Sequence, residues 1–293
     1  MAMGADHELT DRKFYEARQE ADFSERTMPS TPQTEHPAYK LAFRDVDFLL
    51  REELRPVRFQ LELLKPEMLL DQAGVGSTLV IYGSARIPPP EAAEIALEGA
   101  RDLPEEERKV VENLAKKAKY YQESYNLARI ASERSIIEGG KRQFVVTSGG
   151  GPSIMEAANK GAQEAGAESI GLNIVLPHEQ APNPYVTPYL SFQFHYFALR
   201  KMHFLLRARA VAVFPGGFGT FDEFFELLTL IQTGKMKPIP ILLFGRDFWT
   251  RVIDFDALAD EGTISRRDLD LFRWCETAEE AWEHICGFYE IKS

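Results

Sequence analysis

The sequence predicts an α/β fold, a doubly wound parallel sheet of Rossmann-like type with an N-terminal helical extension. Three observations carry this expectation. Five short runs, 78–82, 144–147, 169–175, 210–214 and 240–244, are apolar at nearly every position, as strands buried on both faces require. Longer segments of helical character separate them, the alternation that builds βαβ units. Three of the runs end in glycine-bearing turns, and in an open parallel sheet those strand ends are where ligands bind.

Taken in order, residues 1–37 carry eight acidic and four basic side chains and close on Met28-Pro-Ser-Thr-Pro-Gln-Thr-Glu-His-Pro37. That composition reads as a flexible acidic, Pro-rich tail. Across 38–75, Phe43, Val46, Leu49, Leu50 and Leu54, then Leu61, Leu63, Leu64 and Leu69, recur at helical spacing and predict a helical extension of two helices broken near Pro56. Residues 76–293 form the Rossmann-like domain. Within it the charged stretch 105–138 predicts one long helix or a pair, and 194–206 a helix with Phe197, Arg200 and Phe204 on one face. Trp249, Trp274 and Trp282 read as core residues.

Composition limits the function classes. The chain has 293 residues, 44% apolar and 27% charged, which excludes wholesale disorder. A net charge of −11 provides no global field for nucleic acid or anionic lipid, so neither is an expected partner. The N-terminus is polar and acidic, and no 18 apolar residues run together, which predicts a cytoplasmic protein without a membrane span. Cys275 and Cys286, eleven apart, match neither a disulfide framework nor a metal spacing.

The chemistry is expected at the strand ends, Gly83-Ser84-Ala85-Arg86, Ser148-Gly149-Gly150-Gly151 and Pro215-Gly216-Gly217-Phe218-Gly219-Thr220. Glycine lets backbone approach an anion, and the N–H groups of a following helix supply donors, so a phosphate suits these loops. The bland alternative is that they only close tight turns. Neither GxxxxGK[ST] nor GxGxxG stands at a strand end, which argues against a kinase or a dinucleotide oxidoreductase. Between Glu179 and Asp222 there is no acidic residue in 42 positions, while Arg200, Lys201, Arg207, Arg209, His195 and His203 fall there. This is either a patch that attracts an anion or a solvated basic helix face. Glu223 also has two readings. Thr220-Phe-Asp-Glu223 fits a capping box, as do Ser153–Glu156 and Thr277–Glu280, yet a carboxylate one turn beyond a phosphate loop suits chemistry better than binding. His178 and His195 read as structural.

These residues resemble a known family. Pro215-Gly-Gly-Phe-Gly-Thr-Phe-Asp-Glu223 is similar to the PGGxGTxxE motif of the LOG-type nucleotide 5′-monophosphate phosphoribohydrolases, a family also labelled lysine decarboxylase-like. Arg200-Lys201-Met202 resembles its RK pair. Gly83-Ser84-Ala85-Arg86, Ser148-Gly-Gly-Gly-Pro-Ser-Ile-Met-Glu-Ala-Ala-Asn-Lys-Gly161, and Gln232 with Lys237-Pro238 continue the match over about residues 76–260. The N-terminal 75 residues and the 91–138 region depart from short, plant-type members and look like the larger bacterial branch.

The resemblance implies hydrolysis of the N-glycosidic bond of a nucleoside 5′-monophosphate, AMP or a cytokinin ribotide, to free base and ribose 5-phosphate, without metal or other cofactor. It implies Arg200 and Glu223 as catalytic residues. Gly83, Ser84, Arg86, Gly149, Gly150, Lys201, Gly216, Gly217, Gly219 and Thr220 are then substrate-binding. A homodimer or higher homo-oligomer is expected by the same resemblance. Two other classes remain open from the residues: a non-hydrolytic carrier or sensor of a nucleotide or pterin cofactor, and an assembly protein using the helical extension.

Overall fold

The computed structural model describes residues 14–134, 136–177 and 181–292. Contacts divide the chain into two units, Met1–Leu61 and Glu62–Ser293. In the first, α1 (Ala17–Thr27), α2 (Pro32–Glu35) and α3 (Val46–Leu49) precede α4 (Arg55–Gln72), whose first residues close the unit. Helix α1 lies inside the stretch expected as a tail, and α4 starts one residue before Pro56, where proline is tolerated because the first helical N–H groups need no internal partner. Among the described residues of this unit, Ala21 alone is buried. Hydrogen bonds rather than a core give it local order, such as Thr31 capping α2 and the Arg58 guanidinium donating to the Leu49 carbonyl at 2.9 Å.

The second unit is the predicted α/β domain. In chain order its elements are β1 (Thr78–Tyr82), α5 (Pro90–Gly99), α6 (Glu105–Ala115), α7 (Lys119–Arg134), β2 (Ile137–Glu138), β3 (Lys141–Arg142), β4 (Val145–Ser148), α8 (Ile154–Glu164), β5 (Ile170–Ile174), β6 (Ser191–Phe194), α9 (Phe197–Leu206), β7 (Ala208–Val213), α10 (Phe218–Gln232), β8 (Ile241–Phe244), α11 (Arg246–Val252), α12 (Phe255–Asp260), β9 (Arg273–Cys275) and α13 (Ala278–Tyr289). Seven strands form one parallel sheet in the order β6-β5-β4-β1-β7-β8-β9, and β2 and β3 make a separate small hairpin. The charged stretch expected as a long helix or a pair is the pair α6 and α7.

All five expected strands are present. The two the sequence did not announce are the sheet's edges, β6 and β9, which are short and carry polar or half-exposed residues such as Gln193 and Arg273. Strand β1 is central and fully buried, with Val80 flanked by Thr147 of β4 and Val211 of β7. The chain builds outward from β1 first through β4, β5 and β6, then returns to its other side with β7, β8 and β9. That reversal places the topological switch point between β1 and β7.

One face of the sheet packs Leu127, Ala128, Ala157, Ala158, Trp282 and Ile285 of α7, α8 and α13 against β1, β4 and β7. Helices α7 and α8 meet so closely that a Cβ on Gly161 would lie 2.2 Å from the Tyr125 carbonyl oxygen, which is why small residues fill that side of α8. Phe214 and Phe244 stack at 4.2 Å across the ends of β7 and β8. Trp249 and Trp282 are buried, as read from sequence, whereas Trp274 is only half-buried. Both cysteines are buried free thiols, and burial pushes Cys275 up to about 12.

Candidate active site

The three glycine turns converge because β1 lies between β4 and β7. The Phe214 N–H donates to the Tyr82 carbonyl at 2.8 Å, extending the ladder past the strand ends, and the Ser84 N–H donates to the Pro215 carbonyl at 3.1 Å. The Ser84 carbonyl in turn accepts the Ile154 N–H at 3.4 Å, at the start of α8. Ser84 therefore ties its own turn to both others, and its hydroxyl accepts the Arg86 N–H at 3.0 Å. Arg86 itself is exposed.

Beneath the turns lies an ion pair. Arg200, on the first turn of α9, donates from Nη1 to Glu223 Oε1 of α10 at 2.9 Å, and both side chains are about nine-tenths buried, with 11% and 12% exposure. The guanidinium is fixed from two further sides: Nε donates to the Leu172 carbonyl at 2.7 Å, and the group lies 4.9 Å over the Phe204 ring. The helix face read from sequence thus joins Arg200 to Phe204, but Phe197 is half exposed and points elsewhere. Burial drives the Glu223 carboxyl up, and Arg200 restrains the rise, leaving it at about 7. Tyr82, at the end of β1, is buried with its ring edge-to-face against Phe204, the centroids 5.0 Å apart, and burial together with the Glu223 charge holds its phenol well above the usual range.

The capping-box reading of Glu223 does not hold. Helix α10 begins at Phe218 with Gly217 at its N-cap and no side-chain cap, so Glu223 sits in the second turn, where its side chain turns inward to Arg200. Ser153 also fails as a cap: it adopts φ 65° and its hydroxyl donates to the Ile87 carbonyl. Thr277–Glu280 is a true capping box. Because Gly217 offers no side chain, the first N–H groups of the 15-residue α10 have no side-chain acceptor, and Gly217 and Gly219 face open space. Thr220 is buried against Gly216, where a Cβ would lie 2.2 Å from its hydroxyl oxygen.

Gly149 and Gly150 are each required by a neighbour. A Cβ on Gly149 would lie 2.6 Å from Arg200 Nη2 and 2.7 Å from Met155 Sδ; Gly150 has φ +73° and would meet Asn173 Oδ1 at 2.4 Å. Gly149→Ala is accordingly expected to displace the Arg200 guanidinium and break its bond to Glu223 while the protein still folds, as arginine side-chain NMR beside circular dichroism would record.

Lys201 follows Arg200 but faces a different set of groups. Its ammonium pairs with Asp222 at 3.1 Å and Glu226 at 3.2 Å. Partial burial works against its charge, yet the two carboxylates outweigh that and hold it above its ordinary value. His195 is exposed, and His178 lies outside the described residues.

Sequence reasoning missed the network that shapes the second turn. Asn159, wholly buried on α8, accepts from the Ser148 hydroxyl at 2.7 Å and from Asn183 Nδ2 at 2.9 Å, and donates to the Ser169 hydroxyl at 3.0 Å. Asn183 Nδ2 also donates to the Gly151 carbonyl at 2.9 Å, and its N–H to the Gly150 carbonyl at 2.8 Å. The available signal was an asparagine set among the buried alanines of Met-Glu-Ala-Ala-Asn159-Lys-Gly-Ala. Asn159→Ala should cost about 1–3 kcal/mol of unfolding free energy in urea, since it strips three buried polar groups of a shared partner. Among the described residues no group of three or more His, Cys, Asp or Glu side chains could hold a metal ion, and no helix is long and apolar enough to cross a membrane.

Fold and site together define a doubly wound α/β protein whose glycine turns meet at the switch point over a buried Arg–Glu pair. Residues 155–285 match the family model described as possible lysine decarboxylase. Two relatives from Arabidopsis thaliana, the cytokinin riboside 5′-monophosphate phosphoribohydrolases LOG2 and LOG7, are each 26% identical to it. The LOG2 match runs over 152 residues, 51% of this chain and 67% of the relative; the LOG7 match runs over 145 residues, 48% and 64%. The chain thus spans about two thirds of the length of these relatives. Among solved structures, a molybdenum cofactor binding protein from Rippkaea orientalis aligns with TM-score 0.42 and 19% identity over 58% of this chain and 88% of its own. The Moco carrier protein from Chlamydomonas reinhardtii aligns with TM-score 0.43 and 15% identity over 73% and 98%. Neither likeness bears on what this chain binds.

Proposed function

We propose that the protein hydrolyses the N-glycosidic bond of a nucleoside 5′-monophosphate, AMP or an N6-modified AMP, to free base and ribose 5-phosphate. The observation that carries this reading is the Arg200–Glu223 pair, buried at the switch point beside the uncapped start of α10. A binding protein has no need of a carboxylate held under a phosphate loop, because that charge repels the ligand.

In the proposed reaction the 5′-phosphate rests on the N–H groups around Gly216, Gly217, Gly219 and Thr220, with Gly83, Ser84, Arg86, Gly149, Gly150 and Lys201 bordering the nucleotide. The C1′–N bond breaks with its electron pair leaving on the base, and the ribosyl centre gains oxocarbenium character. Glu223, ionised, stabilises that positive charge and orients the water whose oxygen bonds to C1′; one of the water's protons passes by way of the carboxylate to the departing base, and the other stays on the new C1′ hydroxyl. Arg200 holds one carboxylate oxygen in direction and keeps the group ionisable near neutrality despite its burial. The LOG2 and LOG7 names support the same bond and substrate class.

The test is incubation of purified protein with AMP, GMP, CMP, UMP and N6-isopentenyl-AMP in the presence of a chelator, with free base read by chromatography. Base release identifies the hydrolase and ranks its substrates. Saturable binding without release would instead make the chain a carrier or sensor. We further propose a homodimer or higher homo-oligomer, which light scattering measures directly.

A further inference from the structure

Helix α4 does more than lead into the α/β unit. Its residues from Glu62 onward run beside α9, the helix that presents Arg200. The Glu62 carboxylate accepts the N–H of His195 at 2.9 Å through Oε1 and that of Tyr196 at 3.2 Å through Oε2. Tyr196 is the N-cap of α9 and brings no side-chain cap of its own, while the first α9 hydrogen bond to Arg200 runs from the Arg200 N–H to the Tyr196 carbonyl at 3.1 Å. Glu62 therefore supplies from another helix the negative charge and acceptor that a helix start favours.

The Glu62 main chain is engaged as well. Pro66, inside α4, has no N–H, so the Glu62 carbonyl four residues earlier lacks its usual helical donor. His203 of α9 takes the vacant place, its Nε2 lying 3.0 Å from that carbonyl oxygen. A carbonyl only accepts, so Nε2 carries a proton, while Nδ1 lies 3.7 Å from the Glu67 carboxylate. A mid-helix proline, ordinarily a defect, here creates an acceptor that α9 uses. Farther along, Glu67 takes both Nε and Nη2 of Arg207, with Nη2 at 2.8 Å, and Asp71 takes Nη1 at 3.2 Å.

We propose that Glu62 is the positioning residue for Arg200: by capping α9 in trans it fixes the first turn of that helix and so sets how the guanidinium engages Glu223. This rests on the reading of Arg200 and Glu223 as the working pair. When the first turn frays, Arg200 withdraws from the carboxylate, and Glu223 loses the interaction that restrains its proton affinity. The other groups acting on Glu223 are Lys201 on α9, Asp222 beside it on α10, and the Tyr82 phenol at the end of β1; none belongs to α4.

The experiment is carboxyl-carbon NMR titration of Glu223 in protein labelled at its glutamates, assigned by comparison with Glu223→Gln, for wild type, Glu62→Ala, Glu62→Gln and Glu67→Ala. Glu62→Ala should raise the Glu223 midpoint by roughly one pH unit. Glu62→Gln, which keeps one acceptor oxygen, should raise it less and stands in if the alanine variant does not fold. Loss of the Glu62 charge acting directly through space would lower the midpoint, so the sign separates repositioning from a field effect. Glu67→Ala loosens the Arg207 end of α9 and should lower the melting temperature without moving the midpoint. An unmoved or lowered midpoint in both Glu62 variants, or an equal rise in Glu67→Ala, overturns the proposal. This readout needs no turnover, so it stands apart from the fate of the hydrolase reading; if base release is found in wild type, Glu62→Ala should also lower kcat about tenfold with KM changed less.

Discussion

Glu223→Gln is expected to lower base release from a nucleoside 5′-monophosphate by about a thousandfold while nucleotide binding survives, the scale on which removal of one preorganised charge-stabilising group acts. The substitution keeps size and the hydrogen bond from Arg200 but removes the charge that meets the ribosyl cation. Kinetics beside calorimetric binding of AMP make the check: an equal loss of binding would return Glu223 to a structural role, and unaltered turnover would remove it from the mechanism. Since the Glu223 carboxyl sits at about 7, wild-type turnover should climb through neutrality as pH rises, reporting conversion of Glu223 to its ionised form.

Stability should run the opposite way over the same range. Glu223 binds its proton more tightly folded than unfolded, because burial penalises the charged form more than Arg200 compensates it. Its contribution is then fully present below the ordinary carboxylate range near 4.5 and is lost as pH climbs through about 7. The loss is on the order of 3 kcal/mol. His203 works against it, since burial lowers its proton affinity and it contributes more as pH rises toward 6.5. The two separate by difference: urea unfolding of wild type and Glu223→Gln at pH 5 and pH 8.5 should show that the variant lacks the alkaline decline, while the His203 contribution is common to both. Identical pH dependence in the two proteins would mean that Glu223 titrates normally.

Much of the architecture was legible because a parallel sheet buried on both faces writes itself as uninterrupted apolar runs, and 78–82 is such a run in full. The edges were not, because β6 alternates buried with less buried positions and β9 buries only Cys275, so both resemble loop. Site residues were legible where the backbone demands glycine, as at Gly149 and Gly150. Glu223 was ambiguous because Thr-x-x-Glu fits a cap as well as a buried partner, and only the true start of α10 at Phe218 separates the two. Glu62, Asn159 and Leu172 were out of reach: each acts on residues 10 to 134 positions away, through a carboxylate, an amide and a bare carbonyl that no local pattern distinguishes.

The neighbours of the central strand have a consequence for how the chain comes into being. During synthesis β1 emerges early, but β7, which closes its other side, follows after 125 intervening residues. Until then β1 offers an apolar edge with unsatisfied hydrogen-bonding groups, and the half built from β1, β4, β5 and β6 is a template for pairing with another nascent chain. Protein truncated between β6 and β7 should therefore collect in aggregates rather than as a soluble half-domain, and productive folding of the intact chain should be limited by this one long-range closure.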